Sequence, residues 1–161
     1  MGKSMEHRRA LFAYRQLVVL EGESGLDKAD GIKTAACKAV ALILNSGFLQ
    51  AMDFCGNKLE LAYKPLMAWF AESKEGPELS EKIRTAAGSG KSTELNNALA
   101  EAGTDMYRLA MEEAVAFLGQ IKSKAEGKKN ELKHRIDEEK AKAARATGEA
   151  EGGRDDSGSK D

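Results

Sequence analysis

The sequence predicts an all-α protein: a compact bundle of about six helices, a charged helical extension and a disordered acidic tail. Three observations carry that prediction. Ala, Leu, Glu and Lys dominate a chain of 161 residues that holds only two prolines. No run alternates apolar and polar residues as a half-buried strand would. The segment from Met106 to Ala125 is an unbroken helical pattern with two adjoining apolar stripes. One stripe is Met106, Ala110, Ala114, Phe117, Ile121 and Ala125, and the other is Tyr107, Met111, Val115 and Leu118. A surface helix needs one such stripe, so two predict a helix covered on most sides.

The elements follow in order. Ser4 is placed to cap a first helix running to about Glu21, with Leu11, Tyr14, Leu17 and Val18 facing inward. Gly22 to Asp30 holds two glycines and several acids, and reads as a loop. A second helix spans about Ile32 to Leu44 and stops at Asn45-Ser46-Gly47, because glycine readily takes the left-handed conformation that ends helices. A short third helix covers Phe48 to Cys55 and closes at Gly56-Asn57. The fourth covers about Lys58 to Ser73, with Trp69 and Phe70 anchoring its far end. Pro65 lacks an amide hydrogen, so it should kink that helix or start a new one.

Gly76-Pro77 breaks the chain again, and short helices are expected over Glu78 to Ala87 and Thr93 to Ala102. The long two-striped helix then starts at Thr104 or Asp105. Residues 1–127 form the expected bundle domain. Residues 128–146 are helical by propensity, yet Leu132 and Ile136 are their only large apolar side chains, which describes a solvated or partner-dependent extension. In residues 147–161 Gly, Glu, Asp and Ser dominate, and disorder is expected.

The net charge of −1 hides an asymmetry. Residues 137–161 carry five basic and eight acidic side chains, which leaves twenty basic and eighteen acidic in the rest. That is no blanket basic field, so binding to nucleic acid would need locally clustered charge. Cys37 and Cys55 have no CxxC spacing and read as free thiols in a reducing compartment. No segment approaches the roughly 20 apolar residues that span a bilayer, and no signal-peptide core is visible. A cytoplasmic, membrane-free protein is expected.

Catalytic machinery is not legible. Gly88-Ser89-Gly90-Lys91-Ser92 resembles the end of a phosphate-binding loop, but that loop needs a glycine where Thr85 stands and a strand before it. It reads as a flexible linker between helices. His7 and His134 are isolated, so no metal site and no cofactor are expected. Glu112 and Glu113 are adjacent, and helical neighbours point about 100° apart, so they cannot share a substrate. Both read as the solvated edge of the long helix.

Charge clusters offer more. Lys3, Arg8, Arg9 and Arg15 meet only Glu6 in the first helix, with Arg8 and Arg15 seven apart on one face. Lys33 and Lys38 line the polar side of the second helix. Lys122, Lys124, Lys128 and Lys129 cluster around Glu126 as their one acid.

Two segments carry a family resemblance. The first is Ile43-Leu44-Asn45-Ser46-Gly47-Phe48-Leu49-Gln50-Ala51-Met52-Asp53-Phe54. The second is Tyr107-Arg108, then Glu112-Glu113-Ala114, Phe117-Leu118 and Ile121-Lys122, followed by Ala125. Between them stand Tyr63, Leu66 and Trp69. Over about residues 5–127 this resembles the small subunit of Cmr-type (type III-B) CRISPR RNA-guided effector complexes. The resemblance implies a helical bundle without catalysis of its own, stacked head to tail with further copies inside a larger ribonucleoprotein. Its implied partners are crRNA, target RNA and the other effector subunits. On that reading Arg108, from the family motif, joins Arg8, Arg9, Arg15, Lys33, Lys38 and Lys122, from charge clustering, as candidate RNA-backbone contacts. A competing reading is a helical protein-interaction adaptor that binds no nucleic acid and uses the charged extension as its partner surface.

Overall fold

The computed structural model describes residues 2–152, with side chains described through residue 148. Among these residues are seven helices and no strand. They are α1 (Met5–Leu17), α2 (Gly22–Ser46), α3 (Phe48–Lys58), α4 (Glu60–Ala71), α5 (Glu81–Ser89), α6 (Ser92–Glu101) and α7 (Thr104–Gly152). The all-α architecture that the sequence predicts is the one observed.

Serine side chains close the starts of α1 and α5, where the backbone leaves amides free. Ser4 Oγ accepts from the His7 amide at 3.2 Å and opens α1. Ser80 Oγ does the same for the Ile83 amide at 3.4 Å and opens α5. Gly47, at φ +90°, turns the chain between α2 and α3 in a conformation that other residues rarely adopt.

α7 is the axis of the bundle. Its 49 residues span about 73 Å at 1.5 Å per residue. α2 lies antiparallel to it: Phe48, just past the end of α2, meets Tyr107, Lys33 meets Glu126, Asp30 meets Lys129 and Glu23 meets Lys140. α1 runs parallel to it, with Arg9 beside Glu113 and the Val18 carbonyl near Lys128. α4 inserts Trp69 and Phe70 into the core, both fully buried. α6 is tied to α3 by the Asn96 amide, which donates to the Leu49 carbonyl at 3.0 Å.

The two stripes of α7 are buried to different depths. Ala110, Ala114, Phe117, Ile121 and Ala125 are fully buried, as is Leu118 from the second stripe. Tyr107, Met111 and Val115 are half-buried against the rim of the core.

Several expectations are corrected. Gly22 to Asp30 is not a loop but the first part of α2. The extension of α7 packs on it, burying Leu132 against Gly25, so tertiary contact overrides the weak helix propensity. α1 ends at Leu17, and Tyr14 and Val18 face solvent while Ala13 and Leu17 face inward. α3 continues through Gly56 and Asn57 to Lys58, with the Asn57 side chain donating to the Asp53 carbonyl. α4 runs continuously through Pro65, so no new helix starts there. α7 includes residues 147–152, and the rest of the expected disordered tail, 153–161, lies outside the described residues.

Candidate nucleic-acid interface

The strongest polar feature of the fold is internal. Glu113 is 4% exposed, and Arg9 grips its carboxylate from both sides. Nε donates to Oε1 at 2.6 Å and a terminal nitrogen donates to Oε2 at 2.8 Å. The Trp69 indole N–H adds a third bond to Oε1 at 2.9 Å. These hydrogen bonds hold the Arg9 guanidinium above its ordinary range, against the opposing effect of partial burial. Phe117 stacks on Trp69 at 5.4 Å between ring centres, and Phe12 meets both rings at 5.1 and 5.9 Å. One carboxylate thus joins α1, α4 and α7. Glu113 is not the solvated edge expected from the sequence; only Glu112 is exposed.

The seven candidate cations now separate. Arg9 is committed to Glu113, and Lys33 pairs with Glu126 at 3.1 Å. Arg8, Arg15, Lys38, Arg108 and Lys122 have no ion-pair partner among the described residues. Arg8 is half-buried, and its Nε is enclosed without a hydrogen-bond partner. Arg15, Lys38, Arg108 and Lys122 are exposed. Arg108 and Lys122 are 14 positions apart on one helix, which returns them to within about 40° of the same direction and about 21 Å apart along its axis. Both point away from the buried Ala110–Phe117 side of α7.

Lys38 gains a neighbour that sequence reading missed. An open groove of about 590 Å³ runs between α2 and the α3–α4 junction. Thr34 and Lys38 line one wall, and Asn57 and Lys58 line the other. Neither lysine is ion-paired among the described residues, and the carboxylate in the groove, Glu60, lies 3.7 Å from Lys64. Lys58 escaped notice because Gly56-Asn57 looked like the end of α3. An arrangement of this kind suits a phosphate: point charges on flexible stems with hydroxyl and amide groups between them.

Seven large apolar side chains are exposed among the described residues: Tyr14, Val18, Val19, Leu44, Phe54, Leu61 and Leu109. Tyr14, Val18 and Val19 stand near the start of α2, with Val19 74% exposed. Leu44 is 71% exposed near the end of α2, and Phe54 is uncovered on α3. Along α2, Gly22 and Leu44 are about 33 Å apart.

No helix among the described residues is long and apolar enough to cross a membrane. No group of three or more His, Cys, Asp or Glu residues among them is arranged to hold a metal ion.

Among the described residues the chain is an all-helical bundle that leaves several cations exposed and unpaired. The particular family follows from a family-model match described as "CRISPR-associated protein (Cas_Cmr5)", which covers residues 5–128. The chain belongs to this family, the small subunit of type III-B CRISPR effector complexes. No curated protein and no solved structure matches the chain.

Proposed function

We propose that this chain is a non-catalytic subunit that stacks in several copies within its effector complex and contacts the backbone of the crRNA–target RNA duplex in antiviral defence. It works in the cytoplasm beside the other effector subunits. The observation that carries this reading is the sorting of the cations. The fold neutralises Arg9 and Lys33 internally and leaves Arg15, Lys38, Lys58, Arg108 and Lys122 exposed and unpaired among the described residues. Cations that stabilise nothing within the chain are available to phosphates.

Stacking draws support from exposed apolar side chains near the two ends of α2. Tyr14, Val18 and Val19 lie at one end of α2 and Leu44 at the other, as a heterologous contact between identical copies requires. Copies in a row turn each further RNA contact into an intramolecular one, so affinity accumulates although each copy offers few charges. Backbone contacts position RNA without reading bases, which leaves sequence recognition to guide–target pairing.

The test is a salt titration of target-RNA binding by the assembled complex, comparing wild type with Arg108→Glu/Lys122→Glu. Each lost phosphate contact should flatten the log–log slope by roughly 0.9 for a duplex. The double variant should weaken binding and lower the slope by about 1.8 per contacting copy, with unchanged circular dichroism. An unaltered slope rejects this face as RNA-facing. No slope in the wild-type complex favours the adaptor reading.

A further inference from the structure

The first ten residues of α2, 22–31, contain Gly22, Gly25, Gly31 and Ser24, all poor or middling helix formers. A short segment of this composition does not hold a helix alone in water. Residues 128–140 of α7 have the complementary defect: good propensity and almost no apolar surface.

The two segments lie against each other. Leu132 is 2% exposed, and a Cβ added to Gly25 would meet its Cδ1 at 3.4 Å and the Leu20 backbone at 2.9 Å. Gly25 is therefore both the weak point of the helix and the residue that lets α7 and Leu20 approach. Ala29 is fully buried nearby in sequence. Lys129 pairs with Asp30 at 2.9 Å, and Lys140 approaches Glu23 at 3.9 Å. Lys128, 11% exposed, reaches the Val18 carbonyl at 3.5 Å, just past the end of α1. The family match ends at residue 128, so the supporting half of this pair lies beyond the matched part and the supported half lies within it.

We infer that residues 129–140 of α7 act as an intramolecular clamp that keeps residues 22–31 helical, and that the clamp opens as a local unit while the rest of the bundle stays folded. Leu20, Ala29 and Leu132 continue the same core as Trp69, Phe70, Phe117 and Ile121, whose aromatic centre is built by Phe12 of α1, Trp69 of α4 and Phe117 in the first half of α7. One consequence rests on the stacking reading above: the clamp fixes the Val18–Val19 turn, so its closure sets whether that apolar patch is presented in one geometry.

Hydrogen exchange on the free full-length chain tests the clamp, and neither RNA nor stacking enters that measurement. In Leu132→Asp, amides of residues 26–31 should exchange at least about tenfold faster, while those of 63–70 and 110–121 keep wild-type protection. Lys129→Glu, which sets a like charge against Asp30, should accelerate residues 26–31 by a smaller factor, and Leu132→Met should leave them protected. Wild-type protection of residues 26–31 in Leu132→Asp overturns the inference. So does equal loss of protection across the whole bundle, which would make clamp and core one cooperative unit. Sedimentation of the same variants reports on stacking separately.

Discussion

Arg9 and Glu113, 104 positions apart, form a two-pronged ion pair at the centre of the bundle, with the Trp69 indole bonded to the same carboxylate. A charge buried in this way is tolerable only while its partner stays in place. Cutting the pair costs more than the pair contributes, because the remaining charge is left without compensation.

Glu113→Ala should therefore destabilise the fold by about 2–4 kcal/mol, below the full cost for a wholly buried pair because Arg9 is 21% exposed. Glu113→Gln keeps an acceptor for Trp69 and should lose less. Urea unfolding followed by tryptophan fluorescence measures both. An unchanged midpoint for Glu113→Ala would show that the pair contributes nothing.

The two thiols should differ in reactivity and in their effect on stability. Cys55 is fully enclosed, and burial pushes its thiol up from 9.0 to about 11, while Cys37 is half-buried. A thiol reagent at neutral pH should label Cys37 first. Folding favours the protonated Cys55, so its contribution is complete below pH 9, falls as the unfolded thiol ionises, and levels off above about pH 11. Burial also raises the Tyr63 hydroxyl from 10.0 to about 12, which extends the same loss to higher pH. Unfolding free energies at pH 8 and pH 10.5 should differ less in Cys55→Ala than in wild type.

Two glycines should respond in opposite ways to alanine. A Cβ on Gly76 would collide with the Glu72 carbonyl oxygen, which is backbone and cannot swing aside. Gly76→Ala should cost about 2 kcal/mol or more. Gly119 is exposed inside α7, with open space around the added carbon. Gly119→Ala should raise stability by about 0.5–1 kcal/mol, a few degrees in Tm by calorimetry.

The groove between Lys38 and Lys58 gives an independent check on the RNA reading. Lys38→Glu/Lys58→Glu should weaken target-RNA binding by the assembled complex, with the difference shrinking as salt rises. The folded state should be unaffected, because neither side chain is paired among the described residues. Equal affinity at low salt would remove this groove from the interface.

Much of the fold was legible because helical signals are local. The Ser4 cap, the Gly47 turn and the periodicity of Met106–Ala125 depend on neighbours within a few positions. The candidate site was legible only in part. Clustering brought out Arg15, Lys38 and Lys122, and the family motif Arg108, but neither gave a means of separating them from Arg9 and Lys33. That separation requires knowing where Glu113 and Glu126 sit, 104 and 93 positions away. Lys58 was lost to a misplaced helix end.

The sequence by itself determined the helical class, the order of the elements and the family, since propensity, caps and apolar period are written along the chain. Only the tertiary structure decided that residues 22–31 are helix, that Glu113 is buried and which cations remain exposed. Each of those outcomes depends on a partner distant in sequence: Leu132 for Gly25, Arg9 for Glu113, Glu126 for Lys33. Burial and ion pairing are properties of two surfaces brought together, and a weak helix former or an isolated charge takes its meaning from the surface it meets.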